Sequence, residues 1–399
     1  MTIATESRPA SLPRYQPNVG QASAMNSKRS EIAFSVALFA LVLVTRAVTS
    51  GPPYFADGPA HLDAIRNGTY VIQPPGYWLF NRSAALLPDP EQGILVFNWL
   101  VSAAGSVVFY ALARRVLDDA MARLGAVLYS VVFFAWFSGN VHSTYASQLL
   151  FAPLILYLML RCREQPSDGL AAAIGLCFAL GAGLRPSDGV FLGPLVTFFA
   201  VRYLPRRQAI ICLLVASVAS VTWLIPNLAA LHRFQATSHV EQVGKVATGA
   251  VLFGRLNLYT ISNALRYFLP LAVALGPAIL LIPWAARERK LLWLAVLPAS
   301  AFFLLVYISD APYLNVLTAP LVLLTVLGAS RKLSRPSARI AICTSILLNI
   351  VVYLFAIPLP AKGKTAFACA VVNKDVVLYT HYAVRTKGSF FSRLAPQNY

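Results

Sequence analysis

Long apolar runs separated by short polar segments fill the chain from about residue 32 to residue 357. Each run approaches the ~20 residues that an α-helix needs to cross a hydrocarbon core of roughly 30 Å. Because a backbone in lipid must satisfy its own hydrogen bonds, such runs indicate helices. We predict an all-α polytopic membrane protein with about 11 transmembrane helices, at 32–48, 93–113, 121–137, 145–161, 169–184, 189–203, 209–229, 267–285, 291–308, 314–330 and 338–357.

Two polar segments flank this transmembrane domain, which we place at residues 31–357. Residues 1–30 are rich in Ser, Pro and Arg and predict a disordered cytoplasmic tail. Residues 358–399 predict a short basic tail on the non-cytoplasmic side. The first apolar run follows Lys28 and Arg29 and lacks a small-residue cleavage site, so we expect an uncleaved signal anchor.

The positions of Lys and Arg predict the orientation. With a cytoplasmic N-terminus, the tail and the short cytoplasmic turns hold more than half of the 33 basic residues. The positive-inside rule favours that arrangement. The two longest loops, 49–92 and 230–266, then lie on the non-cytoplasmic face, and we expect the active site there.

The composition argues against a nucleic-acid-binding protein and against a disulfide or zinc framework. The chain is 58% hydrophobic and 12% charged, with a formal net charge of +18. The basic residues lie between apolar runs, where they set topology and contact membrane lipid headgroups, so we predict no nucleic-acid partner. The five cysteines are scattered without a C-x-x-C pair, and predict neither a disulfide framework nor a zinc site.

The first long loop, 50–92, gathers the rare ionisable residues. Asp57, His61 and Asp63 lie within seven residues, and Arg66 follows. Asp57 at a cap position and Pro59 in a first turn predict a short surface helix that brings Asp57 and His61 to one face. The alternative is a plain helix cap with solvated polar neighbours. After the helix, Gln73 and two prolines predict an extended turn.

Cations for an anionic ligand are available on the same face. The candidates are Arg66, Arg82, Arg185, Arg255 and Arg266, and we favour Arg185, which lies in a tight turn between two apolar runs. The alternatives are a salt bridge to Asp188 and a headgroup contact. His142 and Tyr145 share a short turn facing the same compartment, as acceptor-binding residues or as an interfacial anchor.

The order of these features resembles the GT-C glycosyltransferases, nearest to the protein-mannosyltransferase-like and aminoarabinose-transferase-like branch. The resemblance rests on one apolar span, a first loop carrying Asp57, a Pro-Pro-Gly-Tyr segment ending at Tyr77, and a span ending in Tyr110, Ala113, Arg114 and Arg115. It is clearest over residues 46–200. It implies a GT-C-like bundle, a polyprenyl-phosphate sugar donor and a site on the non-cytoplasmic face.

The resemblance also implies that Asp57 matches the family's first-loop aspartate, a general base or electrostatic partner of the acceptor. Two positions depart from the family pattern. Gly58 stands where a second acidic residue is common, and Gln73 stands where His precedes the two prolines. These departures leave open whether a divalent cation takes part, and the acceptor, which can be a glycan, lipid or protein.

Sugar transfer from a phosphate needs a carboxylate to take the acceptor proton and cations to hold the departing phosphate. We therefore assign catalytic roles to Asp57 and His61. The substrate-binding residues that we predict are Asp63, Arg66, Gln73, His142, Tyr145, Arg185 and Arg255. The competing hypotheses are a lipid or solute transporter or flippase without covalent chemistry, and a lipid-binding structural protein.

Overall fold

The computed structural model describes residues 21–50, 57–72, 76–232, 258–286, 290–306, 308 and 311–356. Within these ranges the regular secondary structure is helical. The α-helices are α1 (Gln21–Thr49), α2 (Asp57–Arg66), α3 (Trp78–Ala84), α4 (Pro90–Ala113), α5 (Asp119–Val131), α6 (Phe133–Ser138), α7 (Ser147–Glu164), α8 (Asp168–Leu184), α9 (Ser187–Tyr203), α10 (Arg206–His232), α11 (Leu258–Leu275), α12 (Ile282–Ala286), α13 (Lys290–Leu305), α14 (Asn315–Lys332) and α15 (Arg335–Ala356). Short 3-10 helices cover Thr144–Ala146, Gly276–Leu281 and Ala311–Leu314.

The described helices confirm the predicted fold class. Seven helical segments in this part of the chain are long and apolar enough to cross a membrane: Lys28–Thr49, Pro90–Ala113, Thr144–Glu164, Arg206–Leu231, Asn263–Ala285, Ala311–Lys332 and Arg335–Phe355. The apolar helices Asp168–Leu184 and Leu291–Leu305 are shorter. The protein is therefore an integral, multi-pass membrane protein, while the count of about 11 crossings stays a prediction.

The structure describes part of the predicted N-terminal tail but not the predicted C-terminal tail. By its internal contacts the chain forms two units, Met1–Ala37 and Leu38–Tyr399. Helix α1 begins at Gln21, inside the segment predicted as a disordered tail. The predicted basic tail, 358–399, lies outside the described residues.

One predicted span is interrupted. Residues 121–137 form α5 and α6 with a break at Val132, whose φ of −47° and ψ of 120° depart from helical values. The backbone N–H of Phe133 donates to Asn349 Oδ1 of α15 at 2.9 Å. A side chain more than 200 residues away along the chain thus satisfies the hydrogen bond freed by the break.

Glycines allow the helices to pack at close range. A Cβ at Gly105 of α4 would lie 2.1 Å from the carbonyl oxygen of Leu149 in α7. A Cβ at Gly175 of α8 would lie 2.2 Å from the carbonyl oxygen of Cys212 in α10. Small residues at such crossings are typical of membrane helices, where close backbone approach replaces the hydrophobic driving force.

Candidate active site

Helix α2 forms one wall of the site. It spans the short helix predicted from Asp57 and Pro59, and its buried face presents Leu62 and Ile65 to an apolar cluster with Phe80. Asp57 is half-buried at the start of the helix, while Asp63 and Arg66 are exposed on its other face. The helix therefore divides the predicted residues between the interior and the solvent side.

His61 is fixed inside this wall. Its side chain is 1% exposed, and its Nδ1 lies 2.7 Å from Asn81 Oδ1. The Asn81 amide already donates to the carbonyl oxygen of Tyr70 at 3.0 Å, so Oδ1 accepts and the His61 Nδ1–H donates. Edge-on contacts with Tyr77 and Phe80, with centroid distances of 5.6 and 5.2 Å, complete the ring's surroundings.

The segment before α3 has an unusual backbone that α10 holds in place. Tyr77 adopts the left-handed conformation, with φ 64° and ψ 30°, and Gly76 has a φ of 111°. Asn227 of α10 accepts the backbone N–H of Trp78 at 3.1 Å. Strain of this kind at a bulky residue costs free energy and persists only where the surroundings fix it. Asn227 therefore helps to determine where the Tyr77 ring lies.

Arg185 follows α8 directly and is buried, with 3% of its side chain exposed. Its Nη1 donates to Thr144 Oγ1 at 2.7 Å. Its guanidinium carbon lies 3.9 Å from the ring centroid of Tyr145 and 5.3 Å from that of Tyr313. Aromatic faces stabilise a cation that has been removed from water. Of the salt bridges between described residues, none joins Arg185 to Asp188, so this alternative for the arginine is not seen.

A carboxyl–amide pair beside Arg185 is not among the predicted site residues. Asp188, in the first turn of α9, is 1% exposed, and its Oδ1 accepts from Gln148 Nε2 at 2.5 Å. Burial raises the pKa of Asp188 to about 7, against the opposing effects of Arg185 and Gln148. The sequence could have indicated Asp188 as a site residue, because it follows by three residues an arginine that lies between two apolar runs. Nothing in the sequence marks Gln148.

Electrostatic effects link helix α2 with the residues around Arg185. Burial lowers the pKa of His61, the charge of Asp57 raises it, and the charge of Arg185 lowers it. Burial raises the pKa of Tyr77, and Arg185, Asp57 and Asp188 all act on the same hydroxyl. Asp57, Arg185 and Asp188 therefore lie within electrostatic range of one pair of rings.

His142 belongs to the same neighbourhood. The side chain is 0% exposed, and burial lowers its pKa to about 4, with a further lowering from His61. The pKa of His142 in the folded protein is below the usual 6.5, so as the pH falls this side chain binds a proton in the unfolded chain before it does in the folded protein. His142 therefore contributes stability in full above about pH 6.5, and loses it as the pH falls from 6.5 towards 4.

The remaining predicted residues do not join this group in the described structure. Asp63 and Arg66 are exposed on the other face of α2. Gln73 and Arg255 lie outside the described residues. Among the residues that are described, no group of three His, Cys, Asp or Glu side chains could hold a metal ion.

An apolar cavity of about 230 Å³ lies between α3, α4, α7 and α8. Its lining includes Leu79, Phe97, Leu150 and Leu184. Leu184 precedes Arg185 directly, and Leu150 lies two residues after Gln148. The cavity and the buried polar group therefore share the same ends of α7 and α8.

Comparison with known proteins gives matches to one group. Residues 73–229 match the family model of dolichyl-phosphate-mannose-protein mannosyltransferases. The fold is similar to a crystal structure of ArnT from Cupriavidus metallidurans bound to undecaprenyl phosphate, with a TM-score of 0.55 and 16% identity over 80% of this chain. The apo structure of that protein matches with a TM-score of 0.49 and 16% identity over 83% of this chain. No curated protein sequence matches significantly.

These matches support the predicted resemblance to the GT-C superfamily, in its protein-mannosyltransferase-like and aminoarabinose-transferase-like branch. At 16% identity the structural likeness defines the fold, which is that of ArnT. The chain spans 63% of the length of the ArnT structure.

Proposed function

We propose that the protein is a GT-C glycosyltransferase that moves a sugar from a polyprenyl-phosphate donor to an acceptor on the non-cytoplasmic face. The observation that carries this proposal is the grouping of an acid and a buried arginine around one pair of rings. Asp57 and Arg185 both act on His61 and Tyr77. Such a grouping supplies a proton acceptor and a phosphate-binding cation within one site.

The reaction is a single displacement that inverts the anomeric carbon. The acceptor oxygen forms a bond to that carbon as the bond from the carbon to the phosphate oxygen breaks. Asp57 takes the acceptor proton, and the electron pair of the broken bond leaves with the polyprenyl phosphate. The Arg185 guanidinium stabilises the charge on this leaving group. His61, whose ring is held by Asn81, orients the Asp57 carboxylate.

The apolar cavity supplies a place for the lipid. Its apolar lining suits the isoprene units of a polyprenyl chain, and Leu184 in that lining directly precedes Arg185. Tyr145, beneath the guanidinium, keeps water from that charge. We assign Asp63, Arg66, His142, Gln73 and Arg255 to substrate binding as the sequence predicts, with Asp63 and Arg66 reached from the exposed side of α2.

The orientation of the site follows from the distribution of basic residues. Arg161 and Arg163 end α7, and Arg331 and Lys332 end α14, as expected for cytoplasmic helix ends. Asp57 and Arg185 then share the opposite side of the membrane with the acceptor.

A release assay with purified protein tests the proposal. The substrate is a radiolabelled polyprenyl-phosphate sugar, and the product measured is free polyprenyl phosphate. We expect Asp57→Asn to lower turnover by about 10²–10⁴-fold, the usual contribution of a general base. Asp168→Asn is the matched control, because Asp168 lies in the first turn of α8 as Asp57 does in α2, but pairs with Arg207 at the surface.

Two outcomes would oppose the proposal. Full turnover by Asp57→Asn would remove that residue from catalysis. Movement of labelled lipid across a vesicle membrane, without release of polyprenyl phosphate by the wild-type protein, would favour the transporter hypothesis.

A further inference from the structure

Three buried polar atoms, one of Arg185 and two of the Asp188–Gln148 pair beside it, have no hydrogen-bond partner among the described residues. They are Asp188 Oδ2, Gln148 Oε1 and Arg185 Nε. Their side chains are 1–3% exposed, so bulk water does not reach them. A buried polar atom left without a partner is unfavourable, and a ligand can supply the hydrogen bonds that these three atoms lack. The grouping indicates a site that a ligand completes.

The chemistry of these atoms defines what the ligand must provide. In its ionised form Asp188 accepts a hydrogen bond at Oδ2, as Gln148 does at Oε1, so the ligand presents two donors to the pair. Arg185 Nε donates, so the ligand presents an acceptor next to those donors. A sugar with neighbouring hydroxyl groups, joined to a phosphate, has this arrangement.

We propose that Asp188 and Gln148 recognise the donor sugar, accepting hydrogen bonds from two of its hydroxyl groups while Arg185 binds the adjoining phosphate. This inference rests on the proposed glycosyltransferase function and adds the substrate class, a sugar without an acidic group. The Gln148 amide already holds Asp188 Oδ1 at 2.5 Å, which fixes the carboxyl group with Oδ2 left for the ligand.

The charge of Asp188 excludes acidic sugars. A uronic acid would bring a second carboxylate against ionised Asp188, and two like charges in a buried site repel strongly. Neutral hydroxyl groups meet no such repulsion.

Binding measurements on the purified full-length protein in detergent test the inference. The probes are undecaprenyl phosphate, the same lipid carrying a neutral hexose, and the same lipid carrying a hexuronic acid. For the wild-type protein we expect the hexose lipid to bind at least about tenfold more tightly than the bare phosphate, and the hexuronic lipid to bind more weakly than the hexose lipid. Each tenfold step corresponds to about 1.4 kcal/mol, the scale of one buried hydrogen bond.

Variants separate the sugar contacts from the phosphate contact. We expect Asp188→Asn and Gln148→Leu each to weaken binding of the hexose lipid by on the order of tenfold, while the affinity for bare undecaprenyl phosphate stays unchanged. Arg185→Gln should weaken binding of both lipids. Asp168→Asn is the matched control, because Asp168 occupies the first turn of α8 as Asp188 does in α9, but pairs with Arg207 at the surface. Thermal unfolding of each variant reports whether it folds.

Several results would overturn the inference and leave the proposed function standing. One is that Asp188→Asn and Gln148→Leu lose equal affinity for the hexose lipid and for bare undecaprenyl phosphate, or lose none for either lipid. Another is that these two variants fail to fold while Asp168→Asn folds. The last is that the wild-type protein binds the hexuronic lipid more tightly than the hexose lipid. If the wild-type protein binds none of the three probes and releases no polyprenyl phosphate, the proposed function itself is wrong.

Discussion

Replacement of Gly76 by alanine tests whether the contact with α10 fixes the site. A Cβ on Gly76 would lie 2.1 Å from Asn227 Oδ1, so the Asn227 side chain would have to leave its hydrogen bond to Trp78. Gly68 provides the matched control, because it also has a positive φ, 66°, but a Cβ there would meet no atom within 4 Å.

The expected effects differ between the two glycines. Positive φ costs a residue with a Cβ about 1–2 kcal/mol, and the stiffer unfolded chain returns about 0.4–1 kcal/mol of this. The clash at Gly76 adds about 1–3 kcal/mol, and the lost hydrogen bond about 1 kcal/mol. We therefore expect Gly68→Ala to lower the free energy of unfolding by at most about 1.6 kcal/mol, and Gly76→Ala by about 2–5.6 kcal/mol.

Unfolding in mixed detergent micelles, followed by tryptophan fluorescence, measures these differences. The double variant Gly76→Ala/Asn227→Ala should be destabilised by about 2–4 kcal/mol less than the sum of the single changes. The shortened side chain removes the clash, and the hydrogen bond to Trp78 is lost only once. Equal effects of Gly76→Ala and Gly68→Ala, or strict additivity with Asn227→Ala, would show that the contact does not determine the backbone of this segment.

Three further predictions concern single side chains. Arg185→Lys should weaken binding of undecaprenyl phosphate about tenfold, measured by titration, because an ammonium group cannot replace the planar, stacked guanidinium; unchanged affinity would count against the phosphate role. Between pH 7.5 and pH 5 the wild-type protein should lose about 2 kcal/mol of stability that His142→Phe does not lose, because in this range the imidazole binds a proton in the unfolded chain but not in its buried site. Parallel pH profiles of the two proteins would contradict this. Gly175→Val should strongly lower the thermal unfolding temperature, whereas Gly169→Val, at a position with no atom within 4 Å of a Cβ, should have a smaller effect.

The fold was largely predictable because the signals for its helices are local. The run at 93–113 corresponds to α4, whose start is set by Pro90 and by the cap in which Asp89 accepts the N–H of Glu91 at 3.0 Å. Helix α2 is signalled in the same way by Asp57 and Pro59. The break at Val132 was not predictable, since it depends on Asn349 in a distant helix.

The site was predictable only where a residue is conspicuous by itself. A charged residue such as Arg185 between two apolar runs stands out in any membrane protein. Gln148, Asn81 and Asn227 are ordinary polar residues in sequence, and their importance arises from pairing with residues 40, 20 and 149 positions away. Such pairs form only when the helices pack, and no local pattern encodes them.

Helices α8 and α9 are short for membrane-crossing segments. Each has 17 residues, and at 1.5 Å per residue each rises roughly 25 Å, a few ångströms less than the thickness of a typical hydrocarbon core. If both cross, the surrounding leaflet thins beside them, at a modest cost per ångström of hydrophobic mismatch. Phospholipid headgroups then sink towards the turn at Arg185, so bilayer thickness becomes a variable that tunes how readily a long-chain lipid phosphate reaches this arginine.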